Sequence, residues 1–308
     1  MMPANTTRKQ SLSPHAATVR HAMTVDVEDY FHVAALAKVI KPEDWGSWAP
    51  TVERNTRRLL DLFDEHRISA TFFVLGWVAE HYPELIREID QRGHEIASHG
   101  YSHQLIYRQT PAVFREETIR SKALLEDLTQ KKISGYRAAS YSITRDSLWA
   151  LDILAELGFQ WDSSIFPVHH DRYGIPDSPT RPYRLATQNG AELIEFPLTT
   201  APLLGMRLPA AGGGYFRLYP YWLSRLLLQR ASTNGEPAIF YLHPWEIDPE
   251  QPRVRGVGAL STFRHYNNLD RCLPRLQALL QDFAFTTVSA SLGAQPLAET
   301  TPIQLAAA

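Results

Sequence analysis

A single cysteine, Cys272, excludes any disulfide within the chain and fits a reducing compartment. Long apolar runs are also missing. Nothing approaches the ~20 residues that a membrane-spanning helix needs, and the longest candidate, 221–228, is broken by Arg225. Basic runs are absent, and a formal net charge of -2 over 308 residues argues against nucleic acid, because neutralising phosphates takes clustered Lys and Arg. The first 20 residues place Arg8 and Lys9 in a Thr-, Ser-, Pro- and Ala-rich stretch without the apolar core of a signal peptide. The expectation is a disordered tail over residues 1–20 and a cytoplasmic protein. There is no internal repeat, and Gly212-Gly213-Gly214 lacks the spacing of a phosphate-binding loop. What is present is 44% hydrophobic content, enough for one large α/β domain or at most two smaller ones.

From about residue 19 onward, short apolar runs alternate with amphipathic segments, as βα units do. Strands are expected at 25–27, 71–75, 94–97, 159–162, 193–198, 238–242 and 285–288, with a strand end at 135–139. Helices are expected at 52–63, at 84–91 between Pro83 and Gly93, from Pro111 onward, from a Thr144 cap to Gly158, at 221–230 and at 269–283. Residues 166–188 read as an irregular insertion and 212–217 as a turn feeding the helix that starts at Tyr221. One domain over 21–292, followed by a flexible tail over 293–308, accounts for the pattern.

Two motifs carry chemistry. His99 and His103, four residues apart on an expected helical turn, project from one face and can grip one divalent metal. Upstream, the run Thr24-Val25-Asp26-Val27-Glu28-Asp29 leads a strand into three carboxylates, the source of a third ligand. Strand alternation puts Asp26 and Glu28 on one face and Asp29 on the other, so the third ligand is expected from the Asp26 and Glu28 face, with Asp29 the alternative to Glu28. Arg137, Asp162 and His243 also sit where strands run out, the edge at which parallel α/β proteins build sites.

In this order the residues resemble the polysaccharide deacetylases of the NodB-homology type, carbohydrate esterase family 4, from about residue 22 to 290. Thr24-Val25-Asp26-Val27-Glu28 is similar to the family's first motif, with the second carboxylate displaced by one residue and a Glu in place of Asp. His99 and His103 match the second, and Arg137-Ala138-Ala139-Ser140-Tyr141 resembles the third, with Ala139 in place of its proline. Trp161-Asp162-Ser163 resembles the fourth, and Leu242-His243 the fifth. The runs Val-Asp-Val-Glu-Asp-Tyr-Phe, Gly-Gly-Gly-Tyr-Phe-Arg, His-Pro-Trp-Glu and Phe-Arg-His-Tyr further resemble a subgroup associated with exopolysaccharide loci of the exosortase/PEP-CTERM kind.

The resemblance implies a distorted (β/α) barrel and hydrolysis of N-acetyl groups on hexosamine units of a bacterial polysaccharide. It implies a divalent metal, with zinc the expected ion, on Glu28, His99 and His103. Asp26 is then the general base, held charged and oriented by Arg137. The backbone N–H of Tyr141 serves as oxyanion donor, and His243 protonates the departing amine while Asp162 orients it. Leu242 with Trp161 or Trp245 walls the acetyl methyl. The expected partners are an acetylated glycan and, peripherally, a polysaccharide synthesis machinery. Two other readings compete: a metal-dependent hydrolase of a small cyclic amide, and a non-catalytic glycan-binding module.

Overall fold

The computed structural model of the protein describes residues 19–294 and 297, apart from 171, 188 and 189. The expected tails therefore lie largely outside the described residues. Arg20, placed in the first of them, opens a strand instead, and Gly293 closes a helix.

The first half alternates as expected: β1 (Arg20–Val27), α1 (Val52–His66), β2 (Thr71–Val74), α2 (Gly76–His81), α3 (Pro83–Gln91), β3 (Glu95–Ser98), α4 (Pro111–Thr129), β4 (Gly135–Tyr136), α5 (Trp149–Glu156) and β5 (Trp161–Asp162). Then come β6 (Tyr183–Ala186), β7 (Glu192–Glu195), β8 (Thr200–Leu203), β9 (Met206–Pro209), α6 (Gly213–Leu218), α7 (Tyr221–Ala231) and β10 (Ile239–Leu242). The chain ends in α8 (Ala259–Tyr266), α9 (Leu269–Asp282), β11 (Ala284–Thr286) and α10 (Val288–Gly293).

The main sheet runs β10-β1-β2-β3-β4-β5-β7-β6, with β11 also on β1, and every pairing but β6–β7 is parallel. Parallel strands with helical crossovers are buried on both faces, and side-chain alternation separates two layers. Met23, Val25 and Val27 of β1, Phe72 and Val74 of β2, and Phe240 and Leu242 of β10 pack toward the helices. Ala22, Phe73, Ala97, Trp161, Ile239 and Tyr241 form a second cluster on the inner face. Between β7 and β10 the ladder gives way to side-chain and loop pairing. The Thr199 hydroxyl donates to the Ile239 carbonyl (2.8 Å) and accepts its N–H (2.7 Å), and Gly212 bridges Tyr241.

The mouth of the barrel lies at the carboxyl ends of the strands. The opposite end is closed by α10: Val288 N–H donates to Thr71 Oγ1 (2.8 Å) and Ser289 N–H to Glu95 Oε2 (3.2 Å), at the first residues of β2 and β3. The strand expected at 285–288 therefore stops at Thr286, and Thr287 caps a helix. Gly212 and Gly213 are more than a turn. Their φ angles are 119° and 55°, and a Cβ would stand 2.1 Å from the Tyr241 carbonyl oxygen at Gly212 and 2.3 Å from the Tyr241 hydroxyl at Gly213. Only glycine lets this backbone lie against β10 and start α6 there.

Candidate active site

β1 delivers Asp26 on its inward face and ends at Val27. Glu28 then folds back, its N–H donating to the Asp26 carbonyl (3.0 Å), so both carboxylates face the barrel mouth. Asp29 turns away and becomes structural. Its carboxylate accepts Thr51 N–H (2.6 Å), Val52 N–H (2.8 Å), Tyr30 N–H (2.9 Å) and the Thr51 hydroxyl (2.7 Å), which ties β1 to the N-terminus of α1. Every acidic lone pair it offers is in use.

Glu28, His99 and His103, all buried, place one ligand atom each within 4.8 Å of one another. The histidines do not share a helical turn, contrary to the spacing argument. The carbonyls of Gly100 and Tyr101 accept Gly76 N–H (2.8 Å) and Trp77 N–H (3.1 Å) at the start of α2, so no helical ladder forms. Positive φ at Gly100 (74°) and His103 (53°) turns both imidazoles inward instead. A carbonyl only accepts, so His99 Nδ1 carries the proton it donates to Arg137 O (2.8 Å) and Nε2 presents its lone pair to the site. Burial lowers the His99 pKa to about 4, which keeps the ring neutral. His103 Nε2 lies 2.7 Å from Glu28 Oε2, yet that buried oxygen has no directed hydrogen bond among the described residues. Burial works against the Glu28 carboxylate, but His103 and His243 outweigh it and hold it well below the usual range. Two neutral-capable imidazoles, one ionised carboxylate and an unsatisfied buried oxygen fit a divalent cation.

Arg137, fully buried, aims at Asp26. Nη1 donates to Asp26 Oδ1 (2.7 Å) and Thr24 Oγ1 (2.8 Å), Nη2 to Ser163 Oγ (3.0 Å) and Nε to Ser163 O (3.2 Å). His243, one residue past β10, faces both carboxylates with Nε2: Glu28 Oε1 at 3.5 Å and Asp26 Oδ2 at 3.9 Å. Burial opposes its charge, but Glu28, Glu246 and Asp26 prevail and raise its pKa to about 9.

Four expectations are corrected. Asp162 does not orient His243, because alternation turns Trp161 inward and Asp162 outward. There it accepts the Ser164 hydroxyl (2.7 Å) and lies in register with Glu195 of β7. His243 Nδ1 donates instead to Glu246 Oε2 (2.9 Å), whose other oxygen accepts from Arg217 Nε (2.6 Å). The Tyr141 N–H is committed to the Ala138 carbonyl (3.0 Å), and what Tyr141 turns toward Asp26 is its hydroxyl (3.4 Å). Leu242 packs toward the helices. Trp161 lies at the α10 end, where Nε1 donates to Ser289 Oγ (3.2 Å). Neither can wall an acetyl group.

Trp245 is near the centre but serves it from behind. It stacks between His243 (5.1 Å) and His265 (4.4 Å), and its Nε1 donates to Glu28 Oε1 (3.2 Å). Glu246 and Arg217 were missed as functional residues although their segments stood out in the sequence. A Glu three residues after His243 is a capping-box signal, because its carboxylate also accepts His243 N–H (3.0 Å). Nothing local announced Arg217, whose guanidinium is buried by the carbonyls of Arg264 (3.0 Å), His265 (2.9 Å) and Asn267 (2.7 Å).

Asp162 and Glu195 form a buried carboxyl pair on the outer layer. Burial raises both, Asp162 to about 6 and Glu195 well above the carboxyl range, so they share a proton. A carboxyl with a raised folded pKa stabilises below its unfolded pKa of about 4 and loses that contribution as pH rises through the folded value. Glu195→Gln, which keeps an acceptor for Ile165 N–H (2.9 Å), is therefore expected to flatten the pH dependence of Tm. Its gain over wild type grows from pH 5 to 8, and an unchanged profile by calorimetry refutes the shared proton.

Residues 44–161 match the family described as Polysaccharide deacetylase, and residues 163–293 match one described as Domain of unknown function (DUF3473). The second region supplies β6, β7, β10 and β11 to the same sheet. A chitooligosaccharide deacetylase of Bradyrhizobium sp. (strain ANU 289) is 33% identical over 100 residues, which cover 32% of this chain and 43% of that protein. A peptidoglycan deacetylase of Helicobacter pylori is 32% identical over 114 residues, 37% of each chain. The matched segments thus span less than half of these relatives. Among solved structures, one described as a polysaccharide deacetylase from Mycobacterium smegmatis superposes with a TM-score of 0.58 at 21% identity, over 96% of this chain and 99% of that one. The Puue allantoinase superposes at 0.57 with 16% identity, over 94% and 96%. At these identities the likeness is one of fold. Among the described residues, no helix is long and apolar enough to cross a membrane.

Proposed function

We propose, from the premise that this chain carries a polysaccharide deacetylase domain of the NodB type, that it hydrolyses N-acetyl groups from hexosamine units of a bacterial polysaccharide. The observation that carries the reading is the meeting of Asp26, Glu28, His99, His103 and His243 at one barrel mouth. A divalent ion held by Glu28, His99 and His103, with zinc the expected one, would polarise the amide carbonyl and acidify a water.

The chain's own residues divide the proton work. Asp26, fixed by Arg137, takes the proton of the attacking water as oxygen bonds to the carbonyl carbon. His243 gives its Nε2 proton to the amide nitrogen, the C–N bond breaks, and acetate and the free amine leave. Glu246 fixes the His243 tautomer with the donor at Nε2, and Arg217 holds Glu246. A cleft of 880 Å³ lined by the metal-ligating His103 suits an oligosaccharide better than a small cyclic amide. An acid and a base placed opposite each other speak against a mere binding module. We carry exopolysaccharide biosynthesis, a cytoplasmic location and association with a synthesis machinery as parts of the same proposal. The resemblance of the Gly-Gly-Gly-Tyr-Phe-Arg and His-Pro-Trp-Glu segments supports the first and third, and the single cysteine, which fits a reducing compartment, supports the second.

Acetate release from a panel of acetylated glycans tests the activity, and none from any of them overturns it. Within that assay, Glu246→Gln is expected to lower kcat about 10²-fold, the lower end for acid–base groups, with KM little changed. Its stability should fall as well, since Arg217 loses a buried counter-charge. Equal losses in kcat and folded fraction, with normal turnover per folded molecule, would leave Glu246 a purely structural residue.

A further inference from the structure

Of the four separate segments of chain that build the 880 Å³ cleft containing His103, three bring its cations. One follows β1 and brings Lys38 and Lys41. The second follows His103 and brings Arg108. The third is the irregular stretch before β6, which brings Arg172 and Tyr173. Among the described residues lining the cleft, Asp146 is the lone carboxylate. Lys38, Lys41, Arg108 and Arg172 are exposed, and none has an ion pair among the described residues. The excess is local, for the chain as a whole carries -2.

Like charges gathered around one cavity repel one another, and the repulsion is relieved when an anion enters. We propose that the substrate is an anionic glycan. An acetylated hexosamine sits at the His103 end, and a carboxylate- or phosphate-bearing group lies among Lys38, Lys41, Arg108 and Arg172. This rests on the deacetylase reading and adds the charge of the substrate to it. The chain's mild negative charge, which argued against nucleic acid, does not describe this surface.

The test compares three acetylated probes: neutral chitohexaose, a hyaluronan hexasaccharide carrying uronates, and N-acetylglucosamine 1-phosphate. Acetate release and calorimetric binding are measured at about 0.05 M and 0.5 M salt, where screening lengths differ severalfold. The expected result is kcat/KM about tenfold or more higher for an anionic probe at low salt, an advantage that vanishes at high salt. A variant carrying Lys38→Ser, Lys41→Ser, Arg108→Gln and Arg172→Gln brings the anionic-to-neutral ratio close to one. Preference for the hexasaccharide identifies a uronate, and preference for the sugar phosphate identifies a phosphate-linked precursor. Equal use of neutral and anionic probes by the wild type overturns the inference while the deacetylase reading stands. If no probe releases acetate, that reading falls, and the binding titrations alone decide the charge preference.

Discussion

His99→Ala and His103→Ala are each expected to lose nearly all bound divalent metal and nearly all acetate release. The proposed ligand set has three side chains, and removing one leaves two, below the number a catalytic site of this kind uses. The fold should survive both changes. His99→Ala frees the Arg137 carbonyl, which costs on the order of 1–3 kcal/mol, whereas His103 has no comparable bond into the core. Elemental analysis is the deciding measurement, and wild-type metal content in either variant removes that residue from the ligand set. Asp29→Ala separates the two candidate carboxylates. It should keep the metal in the folded fraction and lower Tm, because it strips the N-terminus of α1 of the acceptor for Thr51 and Val52. Metal loss from Asp29→Ala with retention in Glu28→Ala would reverse the assignment.

The second large effect separates proton transfer from metal binding. Asp26→Asn is expected to lower acetate release about 10²–10⁴-fold with metal content unchanged. Its cost in stability is real, because Arg137 is fully buried and loses the one anionic partner it has among the described residues. Breaking such a pair costs roughly 3–5 kcal/mol when nothing replaces it. Thr24 Oγ1, Ser163 Oγ and the Ser163 carbonyl remain as acceptors, as does the Asn oxygen, so the loss should fall below that range. His243→Ala is expected to bind metal and glycan yet release acetate slowly, since an unprotonated amine is a poor leaving group. Near-wild-type turnover per folded molecule in either variant refutes its assigned role. Normal turnover in both with weakened glycan binding would favour the binding module.

The two variants differ in how far their environments were legible in advance. Asp26 was readable because a strand has a period of two, whereas Glu28 reaches the same mouth by a turn that the period does not supply, since β1 ends at Val27 and the Glu28 N–H folds back onto the Asp26 carbonyl. His99 and His103 were readable as a pair, but their helical turn was not. The carbonyls that would have built it cap α2, a helix contributed by a different segment. Glu246 was visible as a residue and invisible as the partner of His243. Asp162 looked equally suitable at the end of a strand, and a one-residue difference in parity sends it outward to Glu195.

The chain's order of apolar runs and breakers thus determined by itself that the fold is a parallel α/β array with chemistry at the strand ends, since burial on both faces and the two backbone periods are local properties. The tertiary structure alone decided which groups meet there. Arg217, 29 residues earlier, is buried against Glu246, the local partner of His243. Trp161 is excluded because α10 returns from the end of the chain to close the other mouth. The cationic cleft exists because distant segments converge beside His103. Such pairings depend on loop closure over long separations, a cost that only the completed core repays, and no window of sequence contains them.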